Sequence, residues 1–505
     1  MRRRILIGQF VAIVVVIVSG ITGCARVNEG NGIIAATSRG DGSTGKIPNT
    51  TASEEARKEF LQGRDLAERL LAQESIQHFD KAISLDPTFA LAELNRANVS
   101  PTAREFFDHL KKAVSLADKA SEGERLLILG TEAGANGNTT KQKEILEKLV
   151  AAYPNDERAH FTLGGYYFGQ QDYDSAIMHY KKATELAPSY SPAYNILGYA
   201  YRQKEDYANS EQAFQKYIEL IPNDPNPYDS LAELFLKMGK FDDSIAQYRK
   251  ALAIDNNFIN SHLGIGAALM YTGKTDDAAA ELNKILTKAR NDGQRRAALF
   301  GLTVLAADSG KLDQALVMAD KQYALGEKTG DVPAMAGDLQ LKGNILFEMG
   351  KYGEAKQMYE RSLKTTLDSN LSQEIKENAK RFHHYNLARL ALAGKNSAAA
   401  RTETEEFRKG AESTGNQGQI KQAHELAGMI ALEEKHYDEA IAELQQANQQ
   451  NPYVLYRLGL AYQGKGDSQK ARESYTKAAR FNSLPQLNYA FVRTRAEKMA
   501  ASAKS

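Results

Sequence analysis

The chain has 505 residues, 42% of them hydrophobic and 25% charged, a globular balance that excludes disorder and collagen-like structure and supplies apolar material for a long core. Its 64 Lys and Arg stand against 63 Asp and Glu, so no bulk charge draws it to nucleic acid or to an anionic membrane surface. The single cysteine, Cys24, excludes an intramolecular disulfide framework. Arg2, Arg3 and Arg4 precede an apolar run from Ile5 to Val18, the layout of an export signal. At about 14 to 18 residues the run is short for a bilayer span.

Residues 21–24 read Ile-Thr-Gly-Cys, which resembles the lipobox of bacterial lipoprotein precursors. The resemblance implies a signal peptide over 1–23, cleavage before Cys24, and a diacylglyceryl group on the Cys24 thiol. Two acyl chains are enough for stable anchoring, so a membrane-bound lipoprotein is expected. Ala25 stands where an Asp, in enterobacteria-like lipoproteins, marks retention at the inner membrane, which favours the periplasmic side of the outer membrane. From Cys24 to residue 52 the chain is rich in Gly, Ser, Thr and Asn without helical period and reads as a flexible tether with a reach of roughly 30 Å.

The remainder repeats. Gly164, Gly198, Ala232 and Gly266 lie 34 residues apart, as do Ala176, Ser210, Ser244 and Ala278, and as do Tyr180, Phe214, Tyr248 and Leu282. Small residues let two antiparallel helices approach and large ones beside them fill the gap. Gly239-Lys240, Gly273-Lys274, Gly310-Lys311 and Gly350-Lys351 recur where a helix-ending turn is wanted. Each pair leaves an apolar face that the next pair covers, so the array grows as a solenoid with a long concave surface.

Leu163, Gly164, Tyr167, Ala176, Tyr180, Ala183 and Pro188 resemble the tetratricopeptide repeat in order and spacing. The family's frequent tryptophan is replaced by His160, Tyr194, Tyr228 and His262, and the chain has no Trp. The resemblance implies an all-α right-handed superhelix of antiparallel helix pairs. The regular repeats cover 157–290 within a first array over 53–324; a less regular array follows over 325–490, then a C-terminal tail over 491–505. About ten repeats are expected, the weakest near 90–150 and 365–420, with a bend between the arrays at Leu325–Ala336. Leu220–Leu252 also looks like a block found in exported bacterial repeat proteins.

Chemistry-bearing patterns give no enzyme. Ala268–Thr275 reads ALMYTGKT and satisfies a relaxed phosphate-loop pattern, but it follows a helix rather than a strand and coincides with the repeat's own Gly-Lys turn. His424-Glu425 lacks the second zinc-ligating His, since Gly428 stands there. His383 and His384 are adjacent and diverge by about 100° on a helix. No catalytic set, metal site or cofactor site is expected.

What the family resemblance implies is protein binding on the first helices of the pairs, at Asn195, Tyr199, Arg202, Asp229, Glu233 and Lys237. Asp229 and Glu233 would repel a carboxylate, so the carboxylate clamp of some members is not expected. The leading expectation is a membrane-anchored scaffold in the bacterial envelope, serving assembly, secretion or export. The alternative is glycan or small-molecule binding through groove tyrosines such as Tyr166, Tyr167, Tyr199 and Tyr201, which requires those rings to be exposed.

Overall fold

The computed structural model describes residues 45–502; the signal segment 1–23, Cys24, the tether up to residue 44 and the last three residues lie outside the described residues. Twelve helix pairs run in chain order: α1 and α2 (Glu54–Glu68, Ala72–Leu85), α3 and α4 (Ala90–Asn98, Ala103–Leu116), α5 and α6 (Glu122–Ala135, Thr139–Ala152), α7 and α8 (Glu157–Gly169, Tyr173–Leu186), α9 and α10 (Ser191–Gln203, Tyr207–Leu220), α11 and α12 (Pro225–Lys237, Phe241–Ile254). They continue as α13 and α14 (Ile259–Tyr271, Thr275–Lys288), α15 and α16 (Asp292–Asp308, Leu312–Thr329), α17 and α18 (Val332–Glu348, Tyr352–Leu367), α19 and α20 (Gln373–Ala393, Ser397–Ser413), α21 and α22 (Gln417–Glu433, Tyr437–Gln446), α23 and α24 (Pro452–Lys465, Ser468–Ala479). A single helix α25 (Leu487–Ser502) follows. No strand occurs among the described residues. The pairs number twelve rather than about ten because the weakly patterned stretches 90–150 and 365–420 hold complete pairs.

Several pairs are closed by one contact repeated along the chain. A Cβ added at Gly164 would stand 2.7 Å from Tyr180, at Gly198 2.6 Å from Phe214, at Gly343 2.4 Å from Tyr359 and at Gly459 2.4 Å from Tyr475. The missing side chain on the first helix is therefore the seat of the aromatic ring on the second. The turn inside a pair places one residue in the left-handed region, at Gly239, Gly273, Gly310 and Gly350 and also at Leu70, Gln171, Glu205, Lys395 and Lys435. Many helix starts are capped by side-chain oxygens, as in the box in which Ser121 and Glu124 satisfy each other's backbone N–H groups at the start of α5. Gly337, inside α17, is different from the packing glycines, since an added Cβ would meet nothing within 4 Å. Gly337→Ala is expected to stabilise the chain by about 0.5–1 kcal/mol through helix propensity, read as a higher urea midpoint at unchanged slope.

The pairs stack without interruption. Leu325–Ala336, where a bend is expected, holds the end of α16, Gly330 in the left-handed region and the start of α17 capped by Asp331. One core cluster runs through it, from Ile259 and Leu282 past Ala315 and Ala319 to Leu341 and Ile345. The stretch is thus an ordinary turn between repeats.

Twelve to fourteen helices further on, the coil meets itself. Arg104 of α4 donates to the Thr329 carbonyl at 3.1 Å, Asn291 to Gln73 at 3.1 Å, Ser372 to Asn136 at 2.8 Å, Thr139 of α6 to the Thr414 carbonyl at 3.3 Å, and Lys421 of α21 to Gln171 at 3.1 Å. No helix among the described residues is long and apolar enough to cross a membrane.

The tether is shorter than its composition suggests. The Ile47 N–H donates to Asp156 at 2.8 Å, the Thr50 N–H to Glu124 at 2.7 Å and the Thr51 hydroxyl to Asp86 at 2.6 Å, while Lys46 pairs with Glu157. Residues 45–52 therefore lie as a strap against the repeats rather than as free coil.

Candidate functional site

The six groove positions chosen from the sequence fall together on α9 and α11, and four of them are joined to one another. Ser230 Oγ donates to Asn195 Oδ1 at 2.9 Å and accepts from the Tyr199 hydroxyl at 3.3 Å. The Arg202 guanidinium lies 4.6 Å from the Tyr199 ring centre and pairs with Glu233 at 3.0 Å. Asp229 is 2% exposed and accepts from the Ser261 hydroxyl at 2.7 Å. Asn195, Tyr199, Arg202 and Glu233 thus form a network joining α9 to α11, and Asp229 separately joins α11 to α13.

Burial, helped by the nearby Glu233 charge and opposed by the Ser261 bond, holds the Asp229 carboxyl well above the usual carboxylate range. A carboxyl raised in the folded state stabilises the fold fully below its unfolded pKa, and that contribution is lost as pH rises through the folded value. Asp229→Asn mimics the protonated acid and keeps the oxygen facing Ser261. It is expected to raise the melting temperature at about pH 8 and leave it unchanged at about pH 3, measured by thermal unfolding across pH.

Lys237, the sixth position, faces something else. Its Nζ donates to the Phe481 carbonyl at 2.9 Å and lies 4.1 Å from the Phe481 ring centre; burial and the neighbouring Arg202 lower its pKa to about 8. On the next first helix, the Tyr271 hydroxyl donates to the Ser483 carbonyl at 2.5 Å. Leu484 packs on Leu236, Ala267 and Ala268. Beyond it, Leu487, Ala490 and Phe491 of α25 join the core of α13 and α15 with Met270, Val304 and Leu305. Arg493 then grips Asp308 of α15 through two bonds of 2.7 and 2.5 Å, and Arg495 reaches Glu348 of α17 at 2.6 Å.

The concave face from α11 to α17 therefore holds the chain's own residues 481–495. Sequence reasoning found Lys237 but missed Tyr271, Asp308 and Glu348, and it read 491–505 as a tail. A usable signal was present: Phe481, Leu484, Leu487, Phe491 and Val492 are too apolar for a solvated tail.

Three of the four tyrosines of the glycan-binding alternative pack on neighbouring side chains. Tyr166 is buried, Tyr167 stacks on His179 with ring centres 5.6 Å apart, and Tyr199 meets Phe214 edge-on at 5.1 Å. The phosphate-loop-like stretch is the left-handed turn at Gly273 between α13 and α14. His384 bonds Glu403 at 2.6 Å and His424 bonds Glu443 at 2.7 Å; both tie the two helices of one repeat together, as His78 does with Glu59 at 2.7 Å. Among the described residues no group of three His, Cys, Asp or Glu is placed to hold a metal ion.

The architecture is a helical-pair solenoid with a side-chain-lined concave face. Tetratricopeptide-repeat models match residues 129–191, 167–225, 339–368 and 452–483, and a TPR-repeat model matches 232–273. These stretches of the chain are tetratricopeptide repeats. No curated protein matches it in sequence. Similar solved structures include a MamA protein (26% identity over 33% of this chain and 91% of that one, TM-score 0.28) and yeast Tom70 (16% identity, 79% and 93%, TM-score 0.47). A further one is a tetratricopeptide repeat protein from Parabacteroides merdae ATCC 43184 (13% identity, 52% and 98%, TM-score 0.35).

Proposed function

We propose that the chain is a non-catalytic scaffold, anchored to the bacterial envelope by lipid on Cys24, that holds segments of other proteins on its concave face. The observation that carries the binding part is the way Lys237 and Tyr271 donate to backbone carbonyls of a non-helical segment. Donors on rigid helices that read main chain accept polypeptide as a ligand whatever its exact side chains, and flanking pockets then select among sequences. The anchor rests on the lipobox resemblance and on the basic and apolar leader before it.

The test is photo-crosslinking in detergent-solubilised membranes from a probe at Lys237 and a control probe at Met178, which is exposed. Recovery of one specific protein from position 237 alone supports the scaffold. Cross-links from Met178 only would overturn groove binding, and no specific protein from either position would overturn the scaffold reading. Separately, Cys24→Ser is expected to leave the membrane fraction or remain unprocessed; a processed variant that stays anchored would overturn lipidation.

A further inference from the structure

The geometry points to residues 481–495 as an internal stand-in for the partner: the partner is a basic polypeptide segment of the same pattern, and it binds α11 to α17 by displacing this stretch. The inference rests on the scaffold reading and names the chemistry of its ligand. The pattern is an aromatic residue and a leucine three positions later in non-helical chain, then a helix bringing an arginine nine positions after the leucine, as Phe481, Leu484 and Arg493 do.

Three features mark the stretch as a ligand rather than as a thirteenth repeat. Residues 481–485 make no backbone–backbone hydrogen bond among the described residues; their main chain is held by the side chains of Lys237 and Tyr271. α25 packs on α24, where the Tyr489 hydroxyl donates to the Ala479 carbonyl at 2.5 Å, but its two arginines reach far back in sequence, to Asp308 and Glu348, and most of its last five residues are exposed. The surface beneath combines apolar side chains, Leu236, Ala267 and Ala268, with carboxylates at its far end. Asp308 is 5% exposed as a side chain and Glu348 10%, so an occupant without a cation would leave buried charge unpaired. An internal occupant weakens an external one by the fraction of time the groove is open, so loosening the stretch strengthens partner binding without touching the groove.

The probe is a fluorescent synthetic peptide of residues 479–497, added to the full chain. The double variant Phe481→Ala with Arg493→Ala, which leaves every groove residue in place, is expected to bind the peptide at least about tenfold tighter than the unaltered chain. Adding Asp308→Ala is expected to lose that gain. Hydrogen exchange on the unaltered chain needs no variant: amides of α25 are expected to exchange at least about tenfold faster than those of α13 and α15, by local release. Exchange of α25 only together with α13 and α15, or no gain in peptide binding by a folded double variant, would overturn the inference. If cross-linking from position 237 still recovers a protein whose capture the double variant leaves unchanged, this inference fails while the scaffold reading stands.

Discussion

Tyr359→Ala is expected to destabilise its repeat by about 3–5 kcal/mol, the cost of emptying a fully buried aromatic site. Tyr359 is 0% exposed and packs in a cluster with Leu346, Ala355, Leu316, Phe347 and Leu390, so it joins three neighbouring pairs. Its ring fills the space left by Gly343, and its hydroxyl donates to Asn344 at 3.0 Å. The backbone of α17 cannot collapse into the void, because helix-to-helix contacts on both sides hold it. The measurement is hydrogen exchange of the α17 and α18 amides, since long repeat arrays need not unfold in two states. Accelerated exchange confined to α16–α19 is the expected result; a loss below about 1 kcal/mol would mean that the site relaxes.

Asp338→Leu is expected to cost about 3–5 kcal/mol, because it strands a cation. Arg296 of α15 meets both Asp338 oxygens at 2.7 and 2.8 Å and also donates to the Gln322 carbonyl at 2.6 Å. Gln322 donates its amide to Asp338 at 2.6 Å. With the Asp338 side chain 2% exposed, burial pushes its carboxyl above the usual range despite Arg296. The pair is therefore costly to bury and worse to break. Arg296→Met together with Asp338→Leu is expected to recover most of the loss, and a double-mutant cycle by urea unfolding measures the coupling. Equal losses from the single and double variants would show that shape, not charge, decides the site.

The repeat was legible because its information is local. The small residue and its aromatic partner lie 16 positions apart at Gly164 and Tyr180, Gly198 and Phe214, and Gly343 and Tyr359, inside one pair, so one stretch of chain contains the whole interaction. The groove was half legible. Asn195, Arg202 and Glu233 do line up across repeats, but whether a polar side chain faces a partner or a neighbour depends on residues about 30 positions away, as with Arg202 and Glu233. The strap at 45–52 was not legible, and the stretch 481–495 showed its apolar character but not its seat, because Ile47 meets Asp156 and Phe481 meets Lys237 only after the coil has formed. Low complexity hid the first and a terminal position hid the second.

The meeting of α2 to α7 with α15 to α21 gives the coil mechanical character. A repeat array that touches only its neighbours stretches like an open spring, each repeat yielding a little. Here successive windings are fastened by Arg104, Asn291, Ser372, Thr139 and Lys421, through bonds each worth about 0.5–1.5 kcal/mol. Such a coil resists small loads through these fasteners as well as through its repeats, so α2 to α7 and α15 to α21 move together until the fasteners part.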